Sequence, residues 1–299
     1  MTALTKNMKT IRVLVFGATG TGKTSLCNTL AGKSRPTDNG AKGVTSKSHY
    51  YSAFNFGGCK IELVDTAGLH ESTSGTVPAE EAVVQLVELL EKAKDGFSLL
   101  LHVTRASRIT KEQEEDYRFF VDKVTERQIP VILAVTGCEN EQPMGTWVEK
   151  NKRSFERFQY RDIIATCFAK GGALEAHFKP LRAESKGVLL NALVAHALPS
   201  PYRLYGPGTG TTFSQALSRI WNEFVEWSGL PEKYRRRVNE SAYSLMKRLG
   251  VPEAIAQAAI KHIPNLVDEI ASKAPIPGAG KLARIVSEKL LRKILSKPE

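Results

Sequence analysis

The stretch Ile11-Arg12-Val13-Leu14-Val15-Phe16-Gly17-Ala18-Thr19-Gly20-Thr21-Gly22-Lys23-Thr24-Ser25 decides the fold of this chain. Its β-branched, apolar opening, residues 11–16, predicts a buried strand. A glycine-rich turn follows, and residues 23–31, with Leu26 and Leu30 four apart, read as a helix. Gly17 and Gly22 stand five apart, and Lys23 and a hydroxyl residue come directly after them. This is the arrangement that polyphosphate chemistry needs. Glycines let successive N–H groups converge on phosphate oxygens, the helix N-terminus adds partial positive charge, and Lys23 bridges the terminal phosphates. The Thr24 hydroxyl would coordinate Mg2+. Candidate contacts to the phosphates are therefore Gly17, Thr19, Gly20, Thr21, Gly22, Lys23, Thr24 and Ser25.

Outward from this loop the chain alternates. Strand-like stretches at 50–56 and 60–64 flank Gly57-Gly58, which supplies the positive φ angles of a tight hairpin, so one antiparallel strand is expected. Helices are expected near 79–93, 111–125, 147–158 and 186–197, and strands at 97–103, 130–135 and 162–167. That order specifies an α/β domain with a mostly parallel sheet and helices on both faces. The pattern changes over residues 199–211, where three prolines and three glycines read as a linker. Beyond it the sequence is helical. Phe213, Leu217, Ile220, Trp221 and Phe224 share one face, and Gly229 with Pro231 closes that helix. The expected division is 1–200 for the α/β domain and 201–299 for a helical, basic extension.

With 299 residues and 42% hydrophobic content, the chain can bury a sizeable core, which excludes disordered and mini-protein classes. Net charge is +11, and residues 201–299 carry 16 bases against 9 acids, inviting anionic partners. Four cysteines without CxxC spacing point to a reducing compartment. The N-terminus lacks a signal-peptide pattern, and the longest apolar runs, 97–103 and 188–198, fall short of a membrane span. A cytoplasmic protein is expected. A second glycine-lysine cluster, Gly278-Ala279-Gly280-Lys281, is loop punctuation, because Pro275 and Leu282 occupy the positions that would need a glycine and a hydroxyl.

Two further motifs follow the loop. Asp65 ends a predicted strand and precedes Thr66-Ala67-Gly68; such an acid can hold Mg2+ through a water, and the Gly68 N–H can sense a γ-phosphate. Between them, Gly43-Val44-Thr45 offers Thr45 as a second metal hydroxyl, with Ser46 and Ser48 competing for the role.

Residues 17–25, Gly43-Val44-Thr45 and Val64-Asp65-Thr66-Ala67-Gly68-Leu69 resemble the first three motifs of a regulatory GTPase. The Gly-Val-Thr form most resembles the avirulence-induced, immunity-associated (GIMAP-like) GTPases, relatives of septins and chloroplast import GTPases. The resemblance covers residues 10–200 and implies a P-loop G domain that binds GTP and GDP with Mg2+. Its fourth motif corresponds here to Thr136-Gly137-Cys138-Glu139, so Thr136 and Glu139 are expected to face the base. An acid there accepts from the guanine N1–H and N2 amino group, a donor pair adenine lacks. The chain departs from the pattern at Gly137, which replaces a basic residue whose stem covers the base, and at Glu139, one methylene longer than Asp. The fifth motif falls around Cys167, Phe168 and Ala169.

Small GTPases carry a water-orienting glutamine where this chain has Leu69. In the wider branch that Leu69 resembles, the missing group comes from elsewhere in the chain or from a partner protomer. His70 is the candidate within this chain, against the alternative of a solvated loop histidine. Slow turnover raised by dimerisation through the nucleotide face is therefore expected.

The basic tail leaves several readings open. Arg235-Arg236-Arg237 is either a solvated face or an anionic patch. The final helix, 282–295, apolar on one side and basic on the other, either packs back on the domain or lies on an acidic membrane surface. No nucleic-acid reader motif accompanies the charge, so a nucleic-acid partner is not expected. Three functions fit: a GTP-controlled switch, a nucleotide-locked scaffold with little turnover, and a P-loop ATPase or kinase, the last disfavoured by the GTPase order of the motifs.

Overall fold

The computed structural model describes residues 8–33, 49–66 and 93–211, together with positions 89, 215, 216, 219, 220 and 223. The chain forms two compact units, residues 1–70 with 95–203, and residues 71–94 with 204–299.

In the first unit, β1 (Lys9–Phe16) lies inside a seven-stranded sheet. Parallel to it on one side runs β4 (Cys59–Asp65). On the other side lie β5 (Leu99–Arg105), β6 (Val131–Thr136) and β7 (Tyr160–Ala165), again parallel. Residues 11–16 and 131–136 are buried without interruption. That continuous apolar run is the signature of strands covered on both faces.

The expected antiparallel strand is present but broken in two. β2 (His49–Tyr50) and β3 (Phe54–Phe56) both pair with β4, and Gly57 and Gly58 turn the hairpin at φ 56° and 72°. The break falls where Tyr51 is drawn inward: its hydroxyl bonds Asn28 Oδ1 at 3.3 Å, while its N–H keeps the Leu63 carbonyl at 3.1 Å.

One face of the sheet presents Ile11, Val13 and Val15 to Leu26 and Leu30 of α1 (Lys23–Ala31) and to Leu189 and Leu193 of α4 (Glu175–His196). On the other, Phe16 stacks on His102 and packs on Phe120, both at 4.6 Å between ring centres. Phe120 belongs to a π-helical continuation, Arg118–Val124, of α2 (Lys111–Tyr117). The wider turn lets the consecutive Phe119, Phe120 and Val121 all point inward. Helices thus cover both faces. α3 (Thr146–Asn151) continues as a 3-10 turn to Phe155, where a single helix to 158 is expected.

α4 begins eleven residues before the expected start at 186. Pro180 and Gly187 weaken the local helix signal, but the first turn is tied down from outside it. Glu175 accepts from the Gly171 N–H at 2.7 Å and pairs with Arg182, which also donates to the Ala169 carbonyl at 2.6 Å. Phe178 and Leu181 pack on the adjacent apolar cluster.

In the second unit, Leu89 and Ala93 are helical and buried, as the expected 79–93 helix requires at those two positions. Ala216 and Ile220 are helical and buried as well. The remainder of the 79–93 helix, the other residues of the 213–224 apolar face, Arg235-Arg236-Arg237, the 278–281 cluster and the 282–295 helix lie outside the described residues. Among the described residues no helix is long and apolar enough to cross a membrane.

Candidate nucleotide-binding site

The C-terminal ends of β1, β4, β5 and β6 all open on the same edge of the sheet, the edge at which α/β sheets bind ligands. From β1 the chain enters the glycine loop. Gly17 takes φ 139° and runs so close to β5 that a Cβ there would lie 2.1 Å from the Val103 carbonyl oxygen. Gly20 and Gly22 take φ 78° and 92°, the left-handed backbone that side chains resist. The turn is closed by Thr21, whose hydroxyl donates to the Ala18 carbonyl at 2.9 Å. α1 then starts on Gly22, which has no side chain with which to cap the helix.

Lys23 is buried, and its ammonium sits within the loop, donating to the Gly17 and Ala18 carbonyls at 2.7 and 2.8 Å. The Thr24 hydroxyl bonds Asp65 Oδ2 at 3.3 Å. Asp65 is placed there by register: it pairs across the sheet with Val15, whose carbonyl accepts both the N–H and the hydroxyl of Thr66 at 3.0 Å. The hydroxyl and the carboxylate that a magnesium ion would need, directly and through water, therefore converge from two elements 41 residues apart. Thr19 is exposed and Ser25 half-buried at the same loop and first turn. Thr45, Gly68, Leu69 and His70 lie outside the described residues.

Of the two residues expected to face the base, Thr136 ends β6 and Glu139 follows three residues later. Thr136 donates its hydroxyl to the carbonyls of Thr21, at 2.7 Å, and Thr104, at 3.1 Å. The first of these bonds ties the end of β6 to the glycine loop. The Glu139 Oε2 is buried and has no hydrogen-bond partner among the described residues, and the carboxylate's charge helps to raise the Cys167 thiol. An orphaned acceptor of this kind costs free energy unless something supplies a donor, and the guanine edge supplies two. The neighbouring loops are locked together, because the Cys138 N–H reaches the Thr166 carbonyl at 3.3 Å and Thr166 returns to Val135. Burial pushes the Cys138 thiol up to about 11 and raises Cys167 too, so both stay protonated. Of the other fifth-motif residues, Phe168 is in the core and the Ala169 carbonyl is taken by Arg182.

Gln113 is a supporting residue that the motif reading missed. Its side chain accepts from the Thr110 N–H at 3.0 Å, closing a capping box, and its amide nitrogen bonds the Thr104 hydroxyl. The Thr-x-x-Gln spacing at 110–113 was the available signal.

Residues 11–159 match the sequence model of the AIG1 family. This chain carries an AIG1-family domain. The domain spans the phosphate loop, the Thr24–Asp65 pair and the fourth motif, and its sheet has the P-loop G-domain arrangement. Among relatives, immune-associated nucleotide-binding protein 10 of Arabidopsis thaliana is 36% identical over 104 residues, 34% of this chain and 22% of its own length. Immune-associated nucleotide-binding protein 7 of the same species is 30% identical over 156 residues, 50% of this chain and 46% of its own. The matched stretches thus span less than half of these relatives. Solved structures similar to the AIG1-family chain include Toc33 from Arabidopsis thaliana in complex with Mg2+ and GMPPNP, with TM-score 0.42 and 18% identity, covering 64% of this chain and 88% of that one. Aquifex aeolicus Era, in a variant bound to GDP and AlF4-, gives TM-score 0.47 and 16% identity, covering 71% and 66%.

Proposed function

We propose that this protein binds GTP and GDP with Mg2+ at the edge of the sheet and hydrolyses GTP slowly, as a nucleotide-controlled switch. The observation that carries this reading is the meeting of Thr24 and Asp65 beside the loop that holds Lys23. In this reading the loop amides from Gly17 to Ser25 and the Lys23 ammonium bind the phosphates, and Thr24, Asp65 through water, and Thr45 hold the metal. The metal, when bound, offsets charge on the phosphate oxygens. Glu139 selects guanine through its unpaired Oε2. Gly68 senses the γ-phosphate, and His70 is the candidate for orienting water. With Leu69 at the usual glutamine position, turnover is slow and rises on dimerisation through the nucleotide face.

The division into a 1–200 G domain and a 201–299 extension, a cytoplasmic location, and docking of the final helix on an acidic membrane surface belong to the same proposal, supported by the basic balance of that extension. Leu69 also favours a second reading, a nucleotide-locked scaffold that presents the tail with no significant turnover.

Calorimetric titration with GTP, GDP and ATP, followed by single-turnover phosphate release over a range of protein concentrations, tests both. Heat with GTP and GDP but not ATP, abolished in Lys23→Ala, is expected. Hydrolysis that rises with protein concentration supports the switch, and binding without release supports the scaffold. No heat with any purine nucleotide overturns both.

A further inference from the structure

Gly137 occupies the position at which the fourth motif ordinarily carries a basic side chain, and the space above it is filled from another strand. A Cβ built on Gly137 would lie 3.3 Å from Cγ and 3.4 Å from Nε of Arg105. The next nearest atom, the Ala106 backbone nitrogen, is at 4.0 Å. The stem of Arg105 and the start of its guanidinium therefore lie directly over the backbone of residue 137. Gly137 itself takes φ 79°, a backbone conformation costly for any side chain of its own.

Arg105 is well anchored at its root. It pairs with Thr136 in the β5–β6 register, the Ala106 N–H donates to the Thr136 carbonyl at 2.7 Å, and the preceding Thr104 hydroxyl is held by Gln113. Its far end is not anchored. The side chain is exposed, and its guanidinium makes no hydrogen bond or ion pair among the described residues. Two residues beyond Gly137 stands Glu139 with its buried, unpaired oxygen. A planar guanidinium over Gly137 and, two residues along the chain, an acceptor that suits a purine edge thus belong to the same loop.

We infer that Arg105 is a nucleobase-covering residue: packed over Gly137, its guanidinium lies on the face of the purine whose edge Glu139 accepts. Guanidinium groups stack on aromatic faces, so the function missing at 137 is supplied from the neighbouring strand β5 of the same chain. Arg105 and Gly137 form one unit, since a side chain at 137 would crowd the stem that replaces it and would have to adopt φ 79°. The inference rests on the guanine-nucleotide reading of the site.

The test compares wild type with Arg105→Ala and Arg105→Lys, by calorimetry with GTP and with GDP, alongside the arginine Nε–H resonances of the 15N-labelled protein with and without GDP. Arg105→Ala should weaken GTP and GDP alike by about tenfold, the range expected for loss of a cation–aromatic contact, with Arg105→Lys between. The resonance absent from the Arg105→Ala spectrum should move upfield on GDP addition, as a proton lying over a ring does. Unchanged affinity in Arg105→Ala, or an Arg105 resonance that stays in place when GDP binds, overturns the inference while leaving guanine-nucleotide binding intact. Absence of binding in wild type removes the functional reading itself, and the inference with it.

Discussion

Thr136 and Thr21 are joined by a 2.7 Å hydrogen bond from the hydroxyl of one to the carbonyl of the other, 115 residues apart in the chain. The bond fastens the end of β6 to the middle of the phosphate loop. Thr136→Val keeps the shape and removes the donor, leaving the Thr21 carbonyl without this partner at a cost of about 1–3 kcal/mol. Thermal unfolding should record a lower Tm, and titrations with GTP and GDP should show weaker binding by a similar factor, because the loop carries the phosphates common to both. Full affinity in the valine variant would dismiss the brace.

Two glycines of the loop make a contrasting pair. Gly17→Ala places a methyl 2.1 Å from the Val103 carbonyl oxygen, so strand separation or local unfolding must follow. A loss of at least ~3 kcal/mol in urea denaturation is expected. Gly20→Ala meets no atom within 4 Å and suffers only its backbone φ of 78°, a cost of about 1 kcal/mol. Equal losses at the two positions would contradict the close approach of β1 and β5.

Glu139 should govern the base. Glu139→Gln keeps the shape but replaces a carboxylate oxygen with a donor, so GTP affinity should fall by about ten- to a hundredfold. The variant should gain affinity for the xanthine nucleotide, whose C2 carbonyl can accept from the new amide. Competition binding with GTP, XTP and ATP reads this directly, and an unchanged GTP preference would remove Glu139 from the base.

His102 predicts how stability responds to acid. Burial, reinforced by the nearby positive Lys23, lowers its pKa from 6.5 to about 3. Below pH 6.5 the unfolded chain binds a proton that the folded chain refuses, so stability is complete above pH 6.5 and falls as pH drops towards 3. The slope contributed by this one group is about 1.4 kcal/mol per pH unit. Denaturation of wild type and His102→Asn between pH 7 and 5 should show the steeper decline in wild type. Parallel curves would assign the acid sensitivity to other groups.

Much of this was legible from residue order because the chemistry of the loop leaves few choices. Gly17 and Gly22, at φ 139° and 92°, are specified by the local backbone of the turn, which sequence displays directly, and the Gly57-Gly58 hairpin is local as well. What sequence concealed was produced by contacts between distant strands. The bond from Thr136 to the Thr21 carbonyl joins residues 115 apart and is invisible in residue order. Arg105 reads as the end of a strand until register sets it over Gly137. The early start of α4 was hidden because Pro180 lowers local propensity, and only the Glu175–Arg182 pair and apolar packing override it.

The chain of bonds from Gln113 to Thr104, and from Thr136 to both Thr104 and Thr21, links the first turn of a surface helix to the floor of the phosphate loop. Those two regions are mechanically one piece. Anything pressing on the outer end of α2 would be felt as a pull on the phosphate loop, and a ligand that tightens the loop would stiffen that helix in return.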